Sequence, residues 1–262
     1  MKKKTSYIMI SLALLAGILI SGCSKNDANE TQPAEIKIAA ASDLAVAFKD
    51  IGPLFEKETG AKVTFSFGSS GQLADQIENG APFDIFAAAN ISFVDQLKEK
   101  DLIIPESQTT YAFGRIGIST LAKRPLLVET LDDLQKPEVK KIAIANPEHA
   151  PYGLAAKQAL EAAGIWDQIE GKLVYGRNIS DTLTFIETGN AEAGIIALSL
   201  HREDDLNFHL IDDNMHEPLE QSIAVIKRTK QEKLAKDFID FIKGPTGKPI
   251  MESYGFTIPE GK

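Results

Sequence analysis

The sequence predicts an α/β fold, and three observations carry that reading. Short apolar runs of strand length alternate with longer runs whose apolar residues recur at helical spacing, from Ile36 almost to the C-terminus. Repeated β-α units of this length imply largely parallel sheets with helices on both faces. About 228 residues lie from Glu35 onward, enough for one large or two medium α/β domains.

Taken in order, Ile36–Ala41 is a buried-strand run. Leu44–Glu58 reads as a helix, with Leu44, Phe48, Ile51 and Phe55 on one face. Lys62–Phe67 alternates as a strand does, Gln72–Asn79 is a short helix, Asp84–Ala88 a strand and Ile91–Lys98 a helix. Tyr111–Ile118 is a strand, Ile142–Ala145 another, and Gly153–Ala163 a helix. Leu173–Tyr175, Asp181–Thr188 and Ala193–Ala197 repeat the strand-helix-strand order, and Ser222–Lys227 is a further strand. Gln231–Ile242 and Pro245–Tyr254 close the chain as helices.

The N-terminus points to export. Lys2, Lys3 and Lys4 precede an apolar stretch from Tyr7 to Ile20, which has the length of a signal sequence rather than of a membrane span. It ends in Ile20-Ser21-Gly22-Cys23, the shape of a bacterial lipobox, and Cys23 is the only cysteine in the chain. Residues 1–22 are therefore expected to be removed as a lipoprotein signal peptide. Cys23 is expected to carry acyl chains that hold the protein on a membrane, and residues 23–35 to form a polar, flexible tether.

The leader holds three of the 28 Lys+Arg and none of the 37 acids, so the mature chain has 25 bases against 37 acids. That excess of acid excludes nucleic acid as a partner. Any anion site must be built from local dipoles against the overall field.

Four places share one local design: a strand ends, small or hydroxyl residues follow, and a helix begins. They are Ala40-Ala41-Ser42-Asp43-Leu44, Phe67-Gly68-Ser69-Ser70-Gly71-Gln72, Asn146-Pro147-Glu148-His149-Ala150-Pro151-Tyr152-Gly153 and Arg177-Asn178-Ile179-Ser180-Asp181. Helix starts present unpaired N–H groups and a partial positive charge, and in open α/β sheets they lie at the carboxyl ends of strands, where ligands bind. Several converging would cradle an oxyanion without a formal positive charge. The four histidines show no i, i+4 zinc spacing and read as surface residues. Ser199–Glu220 is polar and acid-rich, and its Asp204-Asp205 and Asp212-Asp213 read as solvated loop.

Five stretches, IKIAAASDL, FSFGSSGQLADQIENGAPFDIFAAA, IANPEHAPYGLAAKQALEAAGIWD, NISDTLTFIETGNAEAGIIALS and FIDFIKGPTGKPIMESYGFTIP, span nearly all of the mature body. In them the chain resembles the molybdate-binding proteins of bacterial ABC importers. The resemblance implies a type II periplasmic-binding fold, with two α/β lobes, a hinge of two crossings and a cleft between them. Lobe 1 would comprise residues 36–111 and 222–262, and lobe 2 residues 112–221. It further implies an exported binding protein rather than an enzyme, without a cofactor and monomeric. Such a protein would be lipid-anchored at the outer face of the cell membrane, or periplasmic, and would pass molybdate or tungstate to an ABC permease.

In that family the oxyanion is held by neutral donors. Ser42 and Ser70 match its ligand serines, and Tyr152 and Ile179 fall where it supplies backbone N–H groups. These four would hold the molybdenum as molybdate, with Asp43, Ser69, Ala150 and Asn178 as secondary candidates. One departure concerns a tyrosine that many members carry after GNAELG, where this chain has Ala197. The Tyr152 hydroxyl is the expected replacement donor. A carboxylate beside a dianion repels it, so Asp43 is expected to turn away and to serve the dipole of the Leu44 helix. The competing readings are the same fold tuned to sulfate, phosphate or iron, and an exported serine hydrolase with Ser70 as nucleophile and His149 near it. GSSG does not match the G-x-S-x-G elbow.

Overall fold

The computed structural model describes residues 33–124 and 126–259; the leader, Cys23 and all but the last residues of the tether lie outside them. Among the described residues ten strands form two five-stranded mixed sheets. β1 (Glu35–Ala41) is the centre of a parallel trio, between β2 (Lys62–Gly68) and β3 (Ile85–Ala88), with Ala41 level with Gly68 and Ala40 with Ala87. The carboxyl ends of the three strands therefore stand side by side. The second sheet repeats the arrangement with β6 (Ile142–Ala145) between β7 (Leu173–Gly176) and β8 (Ala193–Ala197), and Ala145 level with Gly176.

The helices are the crossovers that parallel pairing demands. α1 (Ala45–Thr59) follows β1, α2 (Ser70–Glu78) follows β2 and α3 (Ile91–Glu99) follows β3. In the second lobe α4 (Pro151–Ala162) and the short α5 (Trp166–Ile169) lie between β6 and β7, and α6 (Ile179–Glu187) between β7 and β8. α7 (Glu232–Lys243) and α8 (Gly247–Ser253) end the chain. Among the described residues no helix is long and apolar enough to cross a membrane.

Two features differ from the sequence reading. The expected single strand Tyr111–Ile118 is two, β4 (Thr109–Gly114) and β5 (Ile116–Leu121), which belong to different sheets. The apolar run continues through the switch without a turn signal, because both halves are buried and only Arg115 separates them. The acid-rich stretch also contains a strand that the sequence reading did not place, β9 (Leu206–Leu210), an edge strand paired with β5; Asp204-Asp205 and Asp212-Asp213 lie outside it and are exposed. The polar Asn207 of β9 is exposed and the strand's only neighbour is antiparallel, so it lacks the continuous apolar run of a central strand. β10 (Leu219–Val225) returns to the first sheet, antiparallel to both β3 and β4. The chain thus passes between sheets twice, after Gly114 and before Leu219.

The core of the first lobe is aromatic. Phe238 on α7 lies 5.7 Å from Phe48, 5.2 Å from Phe55 and 6.1 Å from Phe65, ring centre to ring centre. These contacts tie the C-terminal helix to α1 and β2. Phe238→Ala is expected to cost about 3–5 kcal/mol, the range for truncating a buried phenylalanine. Lys233→Ala, on the exposed face of the same helix, should stay within about 0.5 kcal/mol. Urea unfolding followed by circular dichroism measures both.

Candidate functional site

Each predicted junction is built by its own sequence. After β1, Ser42–Leu44 makes a 3-10 turn that leads into α1. Ser69 caps α2 by accepting the Gln72 N–H at 3.4 Å, which makes Ser70 the first helical residue. Pro151 starts α4 at a position where its missing N–H costs nothing, and Tyr152 follows. Asn178 caps α6 by accepting the Asp181 N–H at 3.0 Å, and Ile179 is the first helical residue.

The four starts meet. Ser42, Ser70, Tyr152 and Ile179 line one small hollow, of about 10 Å³ as the lobes stand in this structure, together with Asp43, Ser69 and Ala150. Asn178 is not among the lining residues; its side chain is occupied as a cap. Among the described residues no Lys or Arg lines the hollow. The two serine hydroxyls share a chemical bias. Ser70 Oγ accepts the Ala89 N–H at 2.9 Å, and Ser42 Oγ accepts the Ser180 N–H at 3.4 Å. With a lone pair of each engaged by backbone, each hydroxyl keeps its own proton to donate. The hollow is suited to a guest rich in acceptors.

The lobes touch across it. Ser180 Oγ donates to the Ser42 carbonyl at 3.0 Å, and Gly71 N–H donates to the His149 carbonyl at 2.9 Å. His149 Nδ1 lies 2.9 Å from Ser69 Oγ, and its Nε2 lies 3.5 Å from the Gln72 amide nitrogen. A Cβ on residue 71 would stand 2.8 Å from the His149 carbonyl, so this approach needs glycine there.

Two side chains have partners that the sequence did not show. The Tyr152 hydroxyl, expected to face the oxyanion, donates to Asp43 Oδ2 at 3.0 Å. Asp43 is 1% exposed and is among the residues around the hollow. Its Oδ2 also accepts from Gln221 Nε2 at 2.6 Å, and Gln221 Oε1 in turn accepts from the Tyr111 hydroxyl at 2.7 Å. Ser199 Oγ donates to the Asp43 carbonyl at 2.9 Å. The reason is supply: no cation is close, so the buried carboxylate takes the neutral donors that surround it. Burial raises the Asp43 carboxyl to about 6, while the bonds from Gln221 and Tyr152 pull the other way. Burial, with the Asp43 charge beside them, pushes the Tyr152 and Tyr111 hydroxyls well above their ordinary value.

Sequence reasoning missed Gln221, Tyr111 and Ser199. The available signal was Gln221 itself, a polar side chain at the head of an apolar strand run, now fully buried. His216, read as a surface residue, is 8% exposed. Among the described residues no group of three or more His, Cys, Asp or Glu is placed to hold a metal ion.

The raised carboxyl has a consequence for stability. The folded chain holds this proton more tightly than the unfolded chain does, so the Asp43 contribution declines as pH rises from about 4 through about 6. A shift of that size corresponds to roughly 2–3 kcal/mol. Asp43→Asn should therefore stabilise the ligand-free protein by several degrees at pH 7.5 and by little at pH 4, as measured by paired thermal melts.

Comparison with known proteins identifies the family. The chain is 34% identical over 255 residues to the molybdate-binding protein ModA of Azotobacter vinelandii, covering 96% of this chain and 98% of that one. It is 28% identical to the putative ABC transporter substrate-binding lipoprotein YvgL of Bacillus subtilis, covering 96% and 98%. The solved structure of the Azotobacter vinelandii periplasmic molybdate-binding protein superposes with a TM-score of 0.81 at 28% identity, covering 86% of this chain and all of that one. The family of bacterial extracellular solute-binding proteins matches residues 36–257, and the chain belongs to it.

Proposed function

We propose that this protein captures molybdate, or the nearly isosteric tungstate, outside the cytoplasm and delivers it to an ABC permease. The observation that carries the reading is the hollow itself: hydroxyl protons and helix-start N–H groups from both lobes, with no lysine or arginine in its lining. Ser42 and Ser70 supply hydroxyls, and Tyr152 and Ile179 supply backbone N–H groups; the secondary candidates Ser69 and Ala150 complete the wall. The Tyr152 hydroxyl serves Asp43 rather than the guest. The molybdate-binding relative at 34% identity favours the same ligand, and the putative ABC transporter substrate-binding lipoprotein at 28% identity favours the same transport role.

The lobes, divided by the sheets after Gly114 and before Leu219 rather than at residues 111 and 222, open and close about the two crossings. Closure desolvates the anion and strengthens each donor bond. Selectivity over sulfate comes from the size of the hollow. The exported chain works as a monomer, held at the membrane through Cys23, and performs no covalent chemistry. Against a hydrolase stands the partner of His149 Nε2, which is the Gln72 amide rather than an acid, while Nδ1 faces Ser69 and not Ser70.

Isothermal titration with molybdate, tungstate, sulfate and phosphate tests the ligand. Molybdate and tungstate should bind at least about 100-fold more tightly than sulfate, a gap of roughly 2.7 kcal/mol. Binding of sulfate or phosphate without molybdate would refute the ligand and keep the class. Ser70→Ala, which removes one hydroxyl donor, should weaken molybdate binding about tenfold or more. Gly71→Ala should raise the dissociation rate by obstructing closure, as stopped-flow fluorescence would record.

A further inference from the structure

Tyr152 belongs to α4 in the second lobe, yet its side chain ends in the first. Its hydroxyl donates to Asp43 Oδ2 at 3.0 Å and accepts from Gln221 Nε2 at 3.0 Å. Gly114, the last residue of β4, is the floor of this seat: a Cβ there would collide with the hydroxyl and stand 3.0 Å from Gln221 Nε2. The φ of Gly114 lies outside the left-handed region, so its backbone does not require glycine. The close approach of the Tyr152 hydroxyl does.

Gln221 holds the seat in place. It is fully buried on β10, where the pairing with β4 shifts register between Gln221 and Ser222, a bulge of the kind that re-aims a side chain. Its Oε1 accepts from the Tyr111 hydroxyl at 2.7 Å, which turns its Nε2 toward Tyr152 and Asp43. An amide does this without bringing a charge near an anion site. With one bond accepted and one donated, the Tyr152 hydroxyl is fixed in position.

The other end of the same residue is one of the donors proposed for the guest. Pro151 has no N–H, so the Tyr152 N–H is the first donor of α4. Only two side-chain torsions and a rigid ring lie between that backbone and the hydroxyl. The seat of the hydroxyl therefore decides how near the first N–H of α4 comes to Ser42 and Ser70.

We propose that Tyr152 is the gauge of lobe closure, and that Gln221 and Gly114, neither of which lines the hollow, set the size of anion it accepts. The inference rests on the oxyanion reading and names the residues behind its size selectivity. Gln221 and Gly114 are positioning residues that act through Tyr152. An intact seat holds the donors at a spacing too wide for the smaller sulfate. A blocked or loosened seat lets that spacing drift, at the expense of molybdate first.

The test compares the wild-type chain with Gly114→Ala and Gln221→Met, each alone and combined with Tyr152→Phe. Competition calorimetry with sodium molybdate and sodium sulfate gives both affinities, and thermal melts of the ligand-free chain check the fold. Each single variant should lower the ratio of molybdate to sulfate affinity about tenfold. Beside Tyr152→Phe neither should lower it further, because the hydroxyl through which they act is gone. A merely structural role would move the two anions together. A ratio that does not fall overturns the inference, as does an effect that persists in full beside Tyr152→Phe. The two variants reach the seat from different strands, so one that folds is enough. Tyr111→Phe, which frees the Gln221 amide to turn, should act in the same direction by a smaller factor and decides the matter if neither folds. A wild-type chain that binds no molybdate overturns the proposed function and this inference with it. Tight molybdate binding by variants that discriminate as the wild type does overturns the inference alone.

Discussion

A doubly charged anion can be held without a cation only if several donors converge and none of their acceptor atoms faces the guest. The rest of this structure answers to that constraint. Backbone N–H groups at helix starts satisfy it by nature, and hydroxyls satisfy it when something else occupies their lone pairs. The Ala89 N–H does this for Ser70, and the Ser180 N–H does it for Ser42. Two parallel trios of strands, in two sheets, bring the required helix starts to adjoining edges. The double passage of the chain between the sheets, at β4–β5 and before β10, lets those edges face each other.

Asp43 is the point where the constraint is strained. A carboxylate in the lining of a hollow built for anions is tolerable only because Tyr152 and Gln221 share its charge on one oxygen, with Tyr111 behind Gln221. Gly114 takes part by omission: a Cβ there would collide with the Tyr152 hydroxyl and stand 3.0 Å from Gln221 Nε2. The network joins β10, the returning strand, to α4 of the other lobe. The electrostatics of the hollow and the geometry of the crossings are therefore one system.

Much of this was legible in the sequence, for physical reasons. β3, β6 and β8 are fully buried apolar runs, and β1 is one from Ile38 onward; such runs can be read without knowing their neighbours. The helix starts at Ser42, Ser70, Tyr152 and Ile179 carry local chemistry, so their type could be read before their meeting place was known. The Asp43–Gln221 bond could not be read, because 178 residues separate its partners and neither has a local pattern that implies the other. The division of β4 from β5 was hidden for a similar reason: changing sheets alters which strand is the neighbour and leaves the apolar run intact. The Tyr152 hydroxyl was assigned to the guest because the sequence offered no sign of a competing acceptor beneath it.

The central claim is that dipoles and neutral donors alone hold the anion. The most direct measurement is a crystal structure of the chain with molybdate bound. The account predicts the anion in the hollow, its oxygens about 2.7–3.2 Å from Ser42 Oγ, Ser70 Oγ and the backbone nitrogens of Tyr152 and Ile179, with no lysine or arginine in contact. An anion seated elsewhere, or gripped by a cationic side chain, would contradict it.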